Sequence, residues 1–330
     1  MGVVWIKASR LREHGMLGMN CRNVEFINRY NDRRLFPLVD NKLQTKLLAQ
    51  KYEVPTPGLQ FVVREQHEIS RIERQLVDRD RFVLKPAKGS GGKGILVVTG
   101  RSGDDFVRSS GALISIADIR RHMSNILAGL YSLGGASDVV IIEDLIAFDP
   151  CFAGYSHEGV PDIRIIVFQG YPVMAMLRLA THASDGKANL HQGAVGVGLA
   201  MDSGRGLNAV QFGRPINSHP DTRRPLGDIC IPGWQDILLL AAHCHDMTGL
   251  GYIGTDLVLD SESGPQLLEL NARPGLSIQI ANGRGLLPRL RHIESLSNGR
   301  RLSAGQRVDY VMRNFAETKE PAGRLGTQQG

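Results

Sequence analysis

The sequence offers no cysteine arrangement on which to build chemistry. Cys21, Cys151, Cys230 and Cys244 include no pair at the spacing of a metal knuckle or a redox couple, and a reduced, cytoplasmic protein is the simplest account. Long apolar runs are missing as well. The longest, Ile237 to Ala242, is far short of the ~20 residues needed to cross a bilayer. The opening Met1-Gly2-Val3-Val4-Trp5 is not a basic region leading into an apolar one, so no signal peptide is expected. Ile6 stands where a myristoylation signal needs Ser or Thr. No Gly-Lys-Ser/Thr ending marks a Walker loop, and no His-Arg-Asp or Asp-Phe-Gly triplet marks a protein kinase. Cys151 and the serines have no adjacent base at a readable spacing, which speaks against a covalent nucleophile.

Charge is not strongly one-sided either. The 39 basic and 33 acidic residues leave +6, which a nucleotide site and a solvated surface account for without a nucleic-acid interface. With 42% hydrophobic and 22% charged residues, the chain is not globally disordered and has the length of roughly two ordinary domains. The oligomeric state is left open.

What is present begins near residue 40. Asp40 or Asn41 can cap a helix whose apolar stripe is Leu43, Leu47 and Leu48, and which stops at the breaker cluster Val54-Pro55-Thr56-Pro57-Gly58. A strand over 59–63, a charged helix over 65–78 and two strands over 81–85 and 94–99 follow. A helix over 116–130 precedes a β-rich run over 139–142. The second half reads as mostly antiparallel strands, at 162–168, 171–179, 194–200, 255–260 and 266–270, with one strong helix from Trp234 to Thr248. Cys244 falls on that helix's apolar stripe. His243 and His245 flank it and point about 200° apart, so they cannot share an ion.

Lys85-Pro86-Ala87-Lys88-Gly89-Ser90-Gly91-Gly92-Lys93-Gly94 contains G-x-G-x-x-G. A dinucleotide fingerprint needs a helix after the third glycine. Here Ile95-Leu96-Val97-Val98-Thr99 follows, which is β-prone, so the loop joins two strands like a flap. Glycines let backbone N–H groups approach phosphate oxygens, and Lys85, Lys88 and Lys93 add charge. The alternative is a Gly-rich hairpin with incidental lysines.

The strongest constellation lies late in the chain. Asp256, Val258 and Asp260 share one strand face, and Leu267, Glu269 and Asn271 share another. If Ser261-Glu262-Ser263-Gly264 is a four-residue hairpin loop, Asp256 lies opposite Glu269, Val258 pairs with Leu267, and Asp260 meets Pro265. Facing carboxylates repel and make sense around a cation. Oxygen-only donors suit magnesium with bridging phosphates. The competing reading, ordinary acids on a solvent-facing hairpin, is opposed by the apolar residues between them. Arg273, in the turn after Asn271, could hold an anionic substrate or simply lie on the surface.

Taken together these segments resemble the ATP-grasp superfamily, and within it RimK-type glutamate ligases and the α-L-glutamate ligase-like proteins. The likeness is carried by Asp40-Asn41-Lys42 with Thr45-Lys46, Val83-Leu84-Lys85-Pro86, the glycine loop, Val140-Ile141-Ile142-Glu143-Asp144, Asp162-Ile163-Arg164, Asn189-Leu190-His191-Gln192-Gly193, Gly254-Thr255-Asp256 and Leu268-Glu269-Leu270-Asn271-Ala272-Arg273-Pro274-Gly275. The stretch from Gly18-Met19-Asn20 through Pro37-Leu38-Val39-Asp40 also looks like the start of ATP-grasp proteins associated with sugar transfer.

The resemblance implies an α+β fold, in which two α+β subdomains hold nucleotide between antiparallel sheets. A short N-terminal segment (1–39) would precede an N-lobe with the flap (40–137) and a C-lobe with the metal site (138–316), leaving a loose tail (317–330). It implies ATP with Mg2+, or Mn2+ in its place. Lys46 and Lys85 would reach the nucleotide, and Lys88, Gly89, Ser90, Gly91, Gly92 and Lys93 would close over the triphosphate. Ile142, Glu143, Asp144 and Leu145 would form the adenine hinge, with Glu143 and Asp144 at its rim. Arg178, Lys187 and Asn189 would lie near the γ-phosphate and acyl group, and Asp256, Glu269 and Asn271 would hold the metal. The implied activity is an ADP-forming acid–amine ligase that works through an acyl phosphate, adding glutamate or another amino acid to a small-molecule or peptide acceptor. An ATP-grasp phosphotransferase and a nucleotide-binding module without turnover are the rivals. Two departures stand out. Gln192 replaces the arginine that RimK-type ligases carry in His-Arg-Gly-Gly, and about 40 residues precede the lysine helix where a sizeable α/β domain is usual.

Overall fold

A computed structural model describes residues 8–89, 91–157, 159–296 and 302–317. Strands β1 (Leu59–Val63), β2 (Phe82–Pro86), β3 (Leu96–Ser102), β4 (Asp105–Arg108), β5 (Leu113–Ile114) and β6 (Val140–Glu143) form one antiparallel sheet in the order β1-β6-β2-β3-β4-β5. Strands β7 (Asp162–Phe168), β8 (Tyr171–Leu179), β9 (Val195–Leu199), β10 (Gly206–Gln211), β11 (Arg214–Ile216), β12 (Tyr252–Asp260) and β13 (Gly264–Asn271) form a second, ordered β11-β10-β9-β8-β7-β12-β13.

The smaller sheet buries Phe82, Leu84, Val140 and Ile142 against helix α2 (Ile116–Leu127), which presents Ile119, Met123 and Ile126. Ser115 and Asp118 start that helix with a reciprocal capping box. Strand register fixes the opposite face. Lys85 pairs with Ile141, and Val83 with Glu143, so these four side chains point away from α2. Helix α1 (Lys42–Lys51) covers them. Asn41 caps it, accepting from Leu43 and Gln44 N–H groups at 3.0 and 3.3 Å. Leu43 packs with Ala87 and Ile141, whereas Ala49 joins the core of the larger sheet. One helix thus spans both layers.

The larger sheet is buried along the whole of β7 and β12. Helix α3 (Trp234–Thr248), ended by Gly249 at φ 70°, contributes Ile237, Leu240, Cys244 and Met247 to its core. Residues before α1 belong to this core too: Leu17, Phe26, Ile27, Phe36 and Val39 are all buried there. Asn31 stitches that segment to β12, donating to the Tyr252 carbonyl at 2.7 Å and accepting from its N–H at 2.8 Å.

Several local expectations differ from the structure. The segment 65–78 is a 3-10 turn (Gln66–Arg71) and one short helix (Ile72–Gln75), started by a Glu65–Glu68 capping box. Strands β4, β5, β10 and β11 and the helices α4 (Ser277–Asn282), α5 (Leu287–Leu296) and α6 (Ala304–Asn314) were not expected. Most of the anticipated tail lies outside the described residues. All four cysteines are free, and among the described residues no helix is long and apolar enough to cross a membrane.

Candidate active site between the two sheets

The glycine loop connects β2 to β3, which pair from Phe82↔Val98 to Leu84↔Leu96. No helix follows it, so it is a strand–loop–strand flap. Gly91, Gly92 and Gly94 have φ of 64°, 75° and 76°, a region side chains disfavour. Both flap ends are tied down. Asp138 accepts from Lys88 N–H at 3.0 Å, Ser132 Oγ at 2.6 Å and Val139 N–H at 2.7 Å. At the other end His122 Nε2 lies 2.9 Å from the Gly94 carbonyl, and the Tyr131 ring fills the space a Cβ on Gly94 would need. Ser90 lies outside the described residues. Asp138→Asn should lower stability by about 1–3 kcal/mol, the cost of leaving buried donors unmatched, and loosen the flap; chemical denaturation and nucleotide affinity measure the two effects.

Beneath the flap, α1 and the smaller sheet converge on one buried carboxylate. Glu143 is 2% exposed. Lys85 pairs with its Oε1, and the Lys46 ammonium lies 2.8 Å from its Oε2 at an angle that misses hydrogen-bond geometry. Lys46 also donates to the Pro57 carbonyl. Burial pulls the Lys46 pKa down from 10.5, further than Glu143 pulls it up. This corrects the sequence-based expectation for Glu143: it is a bridge between lysines, not a rim residue. The parity of β6 puts it on the Lys85 face. Asp144 does stand at the rim, exposed and bonded to Gln60.

From that rim the chain runs along a cleft of about 440 Å3 lined by Gly58, Arg81, Asp144, Leu145, Ile146 and Ala147. Asp144 N–H donates to the Gly58 carbonyl at 2.9 Å and Ala147 N–H to Asp260 at 2.9 Å. The N–H groups of Leu145 and Ile146 between them have no partner among the described residues. A narrower crevice, also touching Thr56, continues past Lys42, Lys46 and Lys85 to Glu269.

The acidic face belongs to the larger sheet. Asp256 and Glu269 are direct register partners, and Asn271 shares Glu269's face. The hairpin reaches this register differently from expectation. Its loop is three residues, 261–263, so Asp260 meets Gly264 and Val258 meets Gln266. A bulge at Leu268 supplies the missing residue and restores the Asp256–Glu269 pairing.

Nor are the two carboxylates left to repel. Arg164 grips Asp256 with Nε on Oδ1 and Nη2 on Oδ2 (2.7 Å), and Arg178 Nη2 lies 2.8 Å from the same Oδ2. Burial alone would raise the Asp256 pKa, but the two guanidiniums outweigh it and hold the group below its ordinary 3.8. Arg178 also pairs with buried Asp162 at 2.5 Å. There burial prevails over the arginine, and the Asp162 pKa is raised. Lys42 Nζ spans from Glu269 Oε1 (2.9 Å) to the Gly89 carbonyl (2.7 Å), joining the acidic face to the flap.

Asp256, Glu269 and Asn271 bring two carboxylates and an amide to this face, donor types that magnesium takes; the Asn271 Nδ2 lies 3.5 Å from Asp256 Oδ2, so its amide would have to turn to offer oxygen to an ion. Among the described residues no three His, Cys, Asp or Glu side chains cluster as a metal site, so two carboxylates and an amide would need oxygen ligands from outside the chain.

Other expected residues sit less centrally. Lys187 pairs with Asp185 at 3.1 Å and its stem comes near Gly92 of the flap. Asn189 caps a short turn, accepting from His191 N–H at 3.0 Å. The Lys88 ammonium is held by the Ser137 carbonyl at 3.0 Å, and Lys93 is exposed. Arg273 lies over the Phe36 ring, 4.7 Å from its centroid, so the turn carries it onto the N-terminal segment. Lys42, Asp162 and Arg164 were not assigned roles from sequence. Their signals were legible: Lys42 and Lys46 are i, i+4 on one helix face, and Asp162 and Arg164 are two apart on an otherwise apolar strand.

A sequence model of the sugar-transfer associated ATP-grasp family matches residues 21–295. The chain belongs to this family. Its α+β architecture of two antiparallel sheets is accordingly an ATP-grasp fold. No curated protein matches the chain significantly. Among solved structures, D-alanyl-alanine synthetase A from Vibrio cholerae O1 biovar eltor matches at 12% identity, over 86% of this chain and 68% of that one, with a TM-score of 0.47. The D-cycloserine synthetase DcsG matches at 15% identity over 81% and 73%, with a TM-score of 0.47. The ATP-grasp ligase PsnB, complexed with minimal precursor, matches at 13% identity over 82% and 63%, with a TM-score of 0.44. The chain thus spans less than two thirds of the length of PsnB.

Proposed function

We propose that this ATP-grasp protein is a magnesium-dependent, ADP-forming carboxylate–amine ligase of RimK-like chemistry. The observation that carries the reading is the set Asp256, Glu269 and Asn271 on a sheet face joined by the crevice to Lys42, Lys46 and Lys85. Adenine would lie along 144–147, where the Leu145 and Ile146 amides lack partners among the described residues. The phosphates would follow the lysines, beneath the flap formed by Gly89, Ser90, Gly91, Gly92, Lys93 and Gly94.

A carboxylate does not condense with an amine near neutral pH, because its leaving group is oxide. In the proposed reaction a carboxylate oxygen attacks the γ-phosphorus and the bond to the ADP oxygen breaks, giving an acyl phosphate. The amine attacks the acyl carbon, phosphate departs, and the amine's proton passes to solvent. Phosphoryl transfer needs positioning and charge neutralisation more than covalent help. Asp256, Glu269 and Asn271 would hold magnesium, which supplies charge neutralisation at the phosphates. Lys85 and Arg178 add positive charge on the two walls. Lys187, whose stem comes near Gly92, would follow the flap as it excludes water.

The acid is glutamate or another amino acid in this reading, and the amine belongs to a small molecule or peptide. Incubating the protein with ATP, magnesium and a mixed pool of amino acids and peptides should release ADP and phosphate only when acid and amine are both present, with a product heavier by one acyl unit in the mass spectrum. ADP with a stably phosphorylated acceptor would instead mark a phosphotransferase.

A further inference from the structure

The Asp256 carboxylate is not merely neutralised; both of its oxygens are occupied. Arg164 takes Oδ1 through Nε and Oδ2 through Nη2, and Arg178 shares Oδ2. This is a fork-to-fork grip, the strongest arrangement a guanidinium and a carboxylate make. It is also enclosed: Arg164 is 8% exposed and Asp256 3% exposed. The geometry is built in by the sheet. Asp256 and Arg164 are register partners on adjacent strands, and Gly254, two residues before Asp256, leaves room for the Pro274 ring, 2.6 Å from where a Cβ would stand. A divalent cation bound to Asp256 needs at least one of these oxygens, and Arg164 holds both.

We propose that Arg164 is a placeholder cation: it keeps Asp256 paired when the metal is absent and must open its grip for a divalent ion to bind. The proposal rests on the magnesium reading and deepens it. Arg164 is a positioning residue here, acting through Asp256. Lys42 mirrors it across the hairpin, taking Glu269 Oε1 while it holds the flap's Gly89 carbonyl. The metal site is therefore closed by internal cations, and its intrinsic affinity is reduced by the free energy needed to displace them. When Arg164 lets go, its guanidinium becomes an additional positive charge on the cleft face, where the reactants' oxyanions gather.

The test compares the parent with Arg164→Gln and Arg164→Lys, using Mn2+ alone and Mn2+ with ADP. In EDTA, Arg164→Gln should melt below the parent, since a buried carboxylate has lost a partner. Adding Mn2+ should raise its melting temperature more than the parent's, and calorimetry should show Mn2+ binding at least ~5-fold tighter, the low end of ordinary coupling between sites. Arg164→Lys, which offers one point charge for a fork, should fall between. Equal Mn2+ responses, or weaker binding by Arg164→Gln, would make Arg164 a structural brace and overturn the proposal while leaving the cation site intact. No response of any protein to Mn2+, with or without ADP, would defeat the cation reading itself. Should Arg164→Gln not fold, the parent alone decides by NMR. The Arg164 Nε–H resonance should move and exchange faster as Mg2+ and ADP saturate the site, and an unmoved resonance at saturation would sink the idea.

Discussion

Glu143→Gln should destabilise the protein by about 3–5 kcal/mol, the usual cost of removing one partner from a buried ion pair. Two ammonium groups, Lys46 and Lys85, converge on this carboxylate, and all three side chains are at most 5% exposed. The amide keeps the shape and removes the negative charge that both ammonium groups pair with. The loss should depend on pH in a defined direction. Lys46 already has a depressed pKa because burial outweighs Glu143's attraction, and without Glu143 the depression deepens. Between that lowered pKa and the ordinary 10.5, the unfolded chain binds more protons than the folded one, so stability rises with pH. Denaturant melts of the variant should therefore show the deficit largest near neutral pH and shrinking toward alkaline pH. A deficit that stays flat across that window would mean that Lys46 is not held charged against burial by Glu143.

Glu269→Gln should behave in the opposite way, with little change in stability and a fall in turnover of about 10²–10³-fold, the scale of losing one strong electrostatic contribution to a transition state. Glu269 is about a third exposed, and the ion pair it makes is with Lys42. Solvent screens such a pair, so its stability contribution is small. The chemical contribution would be larger, because Glu269 is one of two carboxylates proposed to hold the ion that neutralises the phosphates. ADP release with the acid and amine identified by the product screen measures turnover, and a denaturant melt measures stability. Wild-type turnover in a folded Glu269→Gln protein would remove this residue from the metal site.

The contrast between these carboxylates shows what the sequence made legible. The antiparallel hairpin, the facing pair Asp256 and Glu269 and the flap between strands all follow from period-two patterning and the absence of a helix after the glycines. The bulge at Leu268 did not. It corrects a miscounted loop by one residue, and Leu268 carries no glycine or proline signal to mark it. Glu143 was misplaced because its rim position was carried over from the resemblance and not from the parity of its strand. The parity with Ile141, and two lysines needing a counter-charge, were the available clues. The hairpin β10–β11 turns at Phe212-Gly213 with φ of 51° and 71°. A bulky aromatic in that conformation is outside the ordinary vocabulary of turns. Arg164 stood out as a charge on an apolar strand, but its partner did not: the pairing with Asp256 shows only once β7 and β12 are seen as neighbours.

The central claim is that ATP and a divalent cation share the cleft between the sheets, the cation held by Asp256, Glu269 and Asn271. Binding of a non-hydrolysable ATP analogue, titrated against Mg2+ from EDTA upward, tests it most directly. The parent should bind the analogue at least ~10-fold more tightly at saturating Mg2+ than in EDTA, a step expected if phosphates and protein oxygens complete one coordination shell, and Glu269→Gln should lose most of that step. Equal affinity in EDTA and Mg2+, or the same Mg2+ step in Glu269→Gln as in the parent, would contradict it.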